Sequence, residues 1–209
     1  MCHIPYREAV GSLLYLAVAT QPDIAFPIGI LSQLDNVGWA HWEGVKHVFR
    51  YLASTRNWAL VYGTKVRGLE GFTDADGAMQ EHRHAITGYA FLIDGGAVSW
   101  SSKKQEIVTL STTKSEYAAT THAAKEAIWL CRFIGEVLQP LANPIPLYSD
   151  SQAAIAHTCD GSYHAHTKHI DIWYHFIQFV VNNGTINLIY CPTDDCIGWR
   201  IYISLNSGY

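Results

Sequence analysis

A hairpin signal followed by a long alanine-rich helix constrains the fold of this chain most. Two strand-like runs, Ile86 to Ile93 and Ala97 to Lys103, flank Asp94-Gly95-Gly96, and short turns of this composition join antiparallel strands. From Ser111, its predicted N-cap, to about Val137 the pattern is helical. A stripe at helical spacing suits close packing on a sheet: it consists of Ala119, Ala123, Ala127, Leu130 and Ile134.

Shorter elements complete the predicted order of the second part. Further strands are predicted at Leu60 to Tyr62, Gly68 to Thr73, Ile145 to Ser149 and Thr185 to Tyr190. A brief helix from Ser151 to about Ala156 and a long amphipathic helix capped by Thr167 lie between the last two strands. This order predicts an α/β domain with an antiparallel hairpin in a mixed sheet.

The first quarter of the chain has helical periodicity instead. Three helices are predicted: one with Val10, Leu13, Leu14 and Ala17 on its apolar face, one with Asp23 as N-cap, and one over about Ala40 to Ser54 with Val45, Val48, Phe49 and Leu52 at helical spacing. We therefore expect a small helical segment ahead of the α/β domain.

Composition excludes several classes of protein. With 49% hydrophobic and 15% charged residues over 209 positions, a large core is expected and disorder is not. A formal net charge of -4 excludes a wholly basic nucleic-acid coat, so phosphate contacts must come from local clusters or bound metal. Five scattered cysteines favour a reducing, intracellular compartment. No apolar run reaches the roughly twenty residues that span a bilayer, so no membrane partner is expected.

Three acidic residues sit where predicted elements begin or end. Asp74 and Asp150 close strands, and Glu116 lies one turn before the small-residue stripe of the long helix. An acid on a buried face needs a partner such as a metal, and clustered carboxylates suit hard divalent cations. The alternative for Asp74 is an ordinary turn acid, since Asp-Ala-Asp-Gly is good turn chemistry, and Asp76 fits that role better.

Several segments between about residues 6 and 195 resemble, in the same order, segments of one protein family. They are Tyr6-Arg7-Glu8-Ala9-Val10-Gly11-Ser12-Leu13-Leu14-Tyr15-Leu16, Pro22-Asp23-Ile24-Ala25-Phe26, His41-Trp42-Glu43-Gly44-Val45-Lys46, Arg50-Tyr51-Leu52, Thr73-Asp74-Ala75-Asp76, Val98-Ser99-Trp100-Ser101-Ser102-Lys103-Lys104-Gln105, Ser115-Glu116-Tyr117, Tyr148-Ser149-Asp150-Ser151-Gln152-Ala153-Ala154 and Thr167-Lys168-His169-Ile170-Asp171. In these segments the chain resembles the C-terminal end of copia-type LTR retrotransposon polyproteins.

The resemblance implies both an architecture and a reaction. It implies a helical reverse-transcriptase thumb or connection remnant over residues 1–56 and a ribonuclease H-like mixed sheet flanked by helices over residues 57–195. The implied reaction is hydrolysis of RNA in RNA–DNA hybrids by two Mg²⁺ ions about 4 Å apart, with Mn²⁺ as a substitute. Asp74 would bridge both ions, and Glu116 and Asp150 would hold the ion on the leaving-group side.

The resemblance also implies partners and further contacts. Besides the hybrid, the remainder of a retrotransposon polyprotein is an expected partner, in a cytoplasmic particle or in the nucleus. Nucleic-acid contacts are expected from Lys103 and Lys104 at a strand end, and from Lys168 and His169 at a helix start. A histidine that assists product release could be His164, His166 or His169. Zinc binding by these histidines and Cys159 is the weaker hypothesis, because the second half of a zinc site is absent from the sequence.

The C-terminus departs from the family pattern. Trp199 falls where the fourth carboxylate is expected, and residues 196–209 form a divergent tail that resembles a frameshifted end. Asp194 or Asp195 could substitute for the missing acid, although capping a helix suits them better. We therefore expect reduced or lost activity. The alternatives are a non-catalytic module that binds hybrid or protein, and a pseudogene product without function.

Overall fold

The computed structural model describes residues 4–63, 68–76, 85–105, 112–152, 155–156 and 168–192. Its principal elements in chain order are α1 (Tyr6–Ala19), a 3₁₀ turn (Pro22–Ile24), α2 (Ala25–Ser32), α3 (Trp39–Thr55), β1 (Leu69–Asp76), β2 (Ile86–Ile93), β3 (Gly96–Lys104), α4 (Thr112–Val137), β4 (Ile145–Ser149), α5 (Lys168–Asn182) and β5 (Ile186–Tyr190). Within these described residues, every helix is too short or too polar to span a bilayer.

The described strands form one mixed sheet in the order β3-β2-β1-β4-β5. The β1–β2 and β2–β3 pairs are antiparallel, whereas β1–β4 and β4–β5 are parallel. The β2–β3 connection is a two-residue turn in which Asp94 and Gly95 have φ angles of 50° and 90°, the left-handed backbone that a tight hairpin requires. The predicted hairpin and mixed sheet are therefore confirmed.

Two helices cover one face of this sheet and form the main core. All five residues of the predicted stripe on α4 are buried, and Ala123 and Ala127 are completely inaccessible. Their small side chains let α4 lie close to Phe91 and Leu147 of the sheet. From α5, Val180 enters the same core. Gly184, with φ at 73°, follows this helix in the left-handed conformation of a helix C-terminus.

The helical segment has a core of its own and attaches to the other face of the sheet. Buried side chains from all three helices meet there: Val10, Leu13, Ala17, Ile28, Val45 and Val48. The indole Nε1 of Trp100, on β3, donates a 2.7 Å hydrogen bond to the Ala17 carbonyl of α1. Trp100 also contacts a small apolar cluster with Phe72 and Leu92, so one side chain joins the helices to the sheet.

Several predictions about single elements are wrong. Asp23 is not an N-cap: it lies within the 3₁₀ turn, and its carboxylate accepts a 2.5 Å hydrogen bond from the Tyr51 hydroxyl. Leu60 to Tyr62 is not a strand but an exposed segment; the Tyr62 hydroxyl donates to the Ala97 carbonyl, and its ring covers Gly96. Phe49, which has the helical spacing of the predicted core residues around it, is 42% exposed, and Trp129 of α4 is 54% exposed.

Candidate catalytic site

The parallel pairing of β1 and β4 brings two of the predicted acids to one edge of the sheet. Gly71 pairs with Leu147 and Phe72 with Tyr148, and the last two rings stack at 5.0 Å. Asp74 and Asp150 each follow two residues after the Phe72–Tyr148 pair. Because parallel strands end at the same side of a sheet, this register places the two aspartates side by side.

The third acid comes from the second turn of α4, whose start is tied to the sheet. The side-chain amide of Gln105, just after β3, donates to the Ser115 carbonyl at 2.9 Å and to the Thr87 hydroxyl at 2.8 Å. Since both Gln105 and Thr87 are buried, this anchor fixes the position of the adjacent Glu116. One carboxylate oxygen from each of Asp74, Glu116 and Asp150 lies within 4.8 Å of the other two.

Burial and mutual repulsion dominate the electrostatics of Glu116 in this cluster. Burial, with smaller contributions from the negative charges of Asp74 and Asp150, raises the pKa of Glu116 to about 9. Its Oε2 atom is buried and has no hydrogen-bond partner among the described residues. A divalent cation would neutralise the repulsion and occupy this oxygen, so the oxygen-only donor set fits a hard metal ion.

Among the other residues predicted to bind nucleic acid, the structure describes the side chains of some and not of others. Lys103, exposed, and Lys104, half-buried, lie at the end of β3 beside the start of β2, and both line a groove between α4 and the hairpin. Lys168 and His169 begin α5, but their side chains lie outside the description. The remaining candidates are also outside the described residues: Cys159, His164, His166, Asp194, Asp195 and Trp199.

The same groove contains residues that the sequence reasoning did not assign to binding. Lys125 and Trp129 of α4 line it together with the two predicted lysines. The sequence does contain a signal for this surface. Trp129 lies two positions after Ala127, so its side chain falls off the buried stripe of the helix. Trp129 and Phe133 are both exposed and stack on one another, and a contiguous exposed apolar patch indicates a contact surface.

Sequence comparisons identify relatives of two kinds, while no family model matches the chain. The Retrovirus-related Pol polyprotein from transposon TNT 1-94 of Nicotiana tabacum is 45% identical over 197 residues, 93% of this chain and 15% of that protein. The secreted RxLR effector protein 161 of Plasmopara viticola is 45% identical over 135 residues, 62% of this chain and 94% of that protein. The chain thus spans a small part of the polyprotein and nearly all of the second relative.

Solved structures resemble the fold at low sequence identity. A foamy viral protease-reverse transcriptase in complex with double-stranded DNA is 14% identical, with 89% of this chain and 31% of that chain covered and a TM-score of 0.54. LC11-RNase H1, solved with an RNA/DNA hybrid, is 16% identical over 64% of this chain and 92% of that chain, at a TM-score of 0.47. The mixed sheet with its flanking helices is a ribonuclease H-like α/β fold. By its sequence, the chain is a homologue of one part of the retrovirus-related Pol polyproteins of plant transposons, which confirms the predicted resemblance to copia-type retrotransposon polyproteins.

Proposed function

We propose that the chain is a metal-dependent ribonuclease H that hydrolyses the RNA strand of RNA–DNA hybrids. The observation that carries the proposal is the convergence of Asp74, Glu116 and Asp150, whose oxygens lie within 4.8 Å of one another. The resemblance to copia-type polyproteins supports it, because that resemblance implies these three acids as the metal ligands. Hybrid binding by LC11-RNase H1 is compatible with the same use of the fold.

Each acid has a defined part in the proposed site. Divalent ions, Mg²⁺ with Mn²⁺ as a substitute, would supply activation of water and stabilisation of the leaving oxygen. Asp74 and Asp150 hold their oxygens at the ends of paired strands, so the sheet sets their separation. With its pKa raised to about 9, Glu116 holds a proton at neutral pH in the metal-free protein, and it would release this proton on binding a metal ion.

The proposed activity is weaker than that of an intact family member. A fourth carboxylate, expected to complete the site on the side of the attacking water, is replaced in the sequence by Trp199. We propose that residues 57–195 form the nuclease and that residues 1–56 derive from the reverse transcriptase. The remainder of a polyprotein is the proposed partner, in a cytoplasmic particle or in the nucleus.

A cleavage assay with charge-matched variants tests this function. An end-labelled RNA–DNA hybrid is incubated with the chain in Mg²⁺ or Mn²⁺, beside Asp74→Asn and the control Asp35→Asn. Asp35 is exposed in the connection before α3 and outside the carboxylate cluster. We expect slow cutting that Asp74→Asn abolishes and Asp35→Asn retains. Cutting that survives Asp74→Asn would contradict the proposal.

A second candidate is a non-catalytic module that binds hybrid or protein. The specific observation in its favour is the secreted RxLR effector protein 161, a relative that this chain covers over 94% of its length. A related module therefore occurs as a separate protein, outside a polyprotein. Hybrid binding without any turnover in the same assay would select this candidate.

A further inference from the structure

A groove of about 510 Å³ lies between α4 and the β2–β3 hairpin. Three lysines line it: Lys103 and Lys104 from the end of β3 and Lys125 from α4. Its one described acid, Glu126, accepts a 2.6 Å hydrogen bond from the Ser99 hydroxyl. Positive charge therefore exceeds negative charge among the described lining residues, in a chain whose formal net charge is -4. Such a local excess suits a polyanion.

Aromatic side chains also line this groove. Trp129 lines it and is 54% exposed, an unusual position for an indole. Its ring stacks on Phe133, with centroids 5.2 Å apart and planes inclined by 10°. Trp173 of α5 and Tyr89 of β2 also line the groove. A flat ring that enters from the groove would continue the Phe133–Trp129 stack.

The groove lies beside the carboxylate cluster. Asp74 pairs across the sheet with Gly88, and Gly88 pairs with Ser102, one residue before Lys103. Neighbouring strands are about 4.8 Å apart, so the end of β3 is about 10 Å from the backbone of Asp74. The end of β3 is therefore within the reach of a nucleic-acid strand that is bound at the cluster.

We propose that this groove binds an unpaired stretch of nucleic acid, with a base on Trp129 and neighbouring phosphates on Lys103, Lys104 and Lys125. Stacking requires an open base face, which a strand within a duplex does not offer, so the groove favours single strands. The volume is in the range of pockets for nucleotide-sized ligands. This binding requires neither metal nor cleavage, and it is therefore independent of the proposed nuclease function.

The test is fluorescence anisotropy in EDTA with labelled single-stranded DNA and RNA of about ten nucleotides. Trp129→Ala should weaken binding by about fivefold or more, since it removes the stacking surface. Trp129→Phe should retain part of the affinity because it keeps a ring. The matched control is Trp58→Ala, because Trp58 is 68% exposed and does not line the groove; it should bind like the wild type.

Salt dependence tests the lysines separately. Lys125→Ala should reduce the slope of log affinity against log salt by about 0.7, the value for one phosphate contact on a single strand. Arg56→Ala, an exposed cation after α3, should leave the slope unchanged. Preference for DNA or for RNA would identify which strand occupies the groove, and both results support the proposal.

Three results would overturn it: no binding of either oligonucleotide by the wild type, equal affinity of Trp129→Ala and the wild type, or tighter binding of a blunt duplex than of single strands. If one of these results is obtained with a chain that still cuts hybrid, it contradicts only the proposed binding in the groove. Normal oligonucleotide binding in a chain that cuts nothing contradicts only the nuclease.

Discussion

Replacing Glu116 by glutamine should stabilise the metal-free protein, and increasingly so as the pH rises. Burial raises the pKa of Glu116 to about 9, against 4.5 for an ordinary glutamate. The folded state therefore holds a proton that the unfolded state has already released between these two values. This contribution to stability is complete below pH 4.5 and is lost as the pH rises toward 9. Glutamine has the same shape but does not titrate.

The size of the effect follows from the pKa difference. For each pH unit of increase between the two pKa values, the unfolding free energy of the wild type falls by up to about 1.4 kcal/mol. From pH 5 to pH 8 the upper bound is about 4 kcal/mol. Because Glu116 keeps some contact with solvent, we expect about 2 kcal/mol. Saturating Mg²⁺ should cancel this advantage, since it stabilises the wild type by about 2.7 kcal/mol at a hundredfold excess over Kd.

Urea unfolding in EDTA at pH 5, 6.5 and 8, followed by tryptophan fluorescence, measures this difference. The control is Glu8→Gln, which makes the same change at an exposed position on α1. The free-energy difference between Glu116→Gln and the wild type should increase with pH, and the Glu8→Gln difference should not. A Glu116→Gln difference that stays constant over this range would refute the reasoning about burial and repulsion.

Three further predictions concern packing and the backbone. Gly71→Ala should cost about 1–3 kcal/mol in urea unfolding, because the added Cβ would lie 2.4 Å from the Phe91 ring; wild-type stability would contradict this contact. Trp100→Phe should cost about 1 kcal/mol and speed proteolysis of α1, since it removes the bond to Ala17; unchanged proteolysis would mean that the helices attach by other contacts. Gly95→Ala should cost about 1–2 kcal/mol in thermal unfolding, because φ is 90° there, and an unchanged Tm would count against the tight turn.

The parts of the fold that local chemistry determines could be predicted from the sequence. Asp94 and Gly95 tolerate positive φ, so their turn was predictable, and the apolar period of α4 determines its buried face. The approach of Asp74 to Asp150 was also predictable, because each residue directly follows a strand that the sequence predicts. Their separation depends on the β1–β4 register, which is a property of long-range pairing.

Most of what the sequence could not predict depends on tertiary contacts. Leu60 to Tyr62 has strand composition, but a strand needs a partner, and here only the Tyr62 side chain reaches the sheet. Trp129 is a hydrophobic residue, but its helical angle places it off the buried face of α4. The groove beside it depends on the distance between α4 and β3, so composition could not reveal it.

A crystal structure with Mn²⁺, collected at a wavelength where manganese scatters anomalously, tests most directly whether the three carboxylates bind a cation. We predict an anomalous peak about 2 Å from oxygens of Asp74, Glu116 and Asp150. The peak should vanish in Asp74→Asn crystals grown and soaked in the same way. Well-ordered carboxylates with no peak at saturating Mn²⁺, or a peak at some other site alone, would contradict the account.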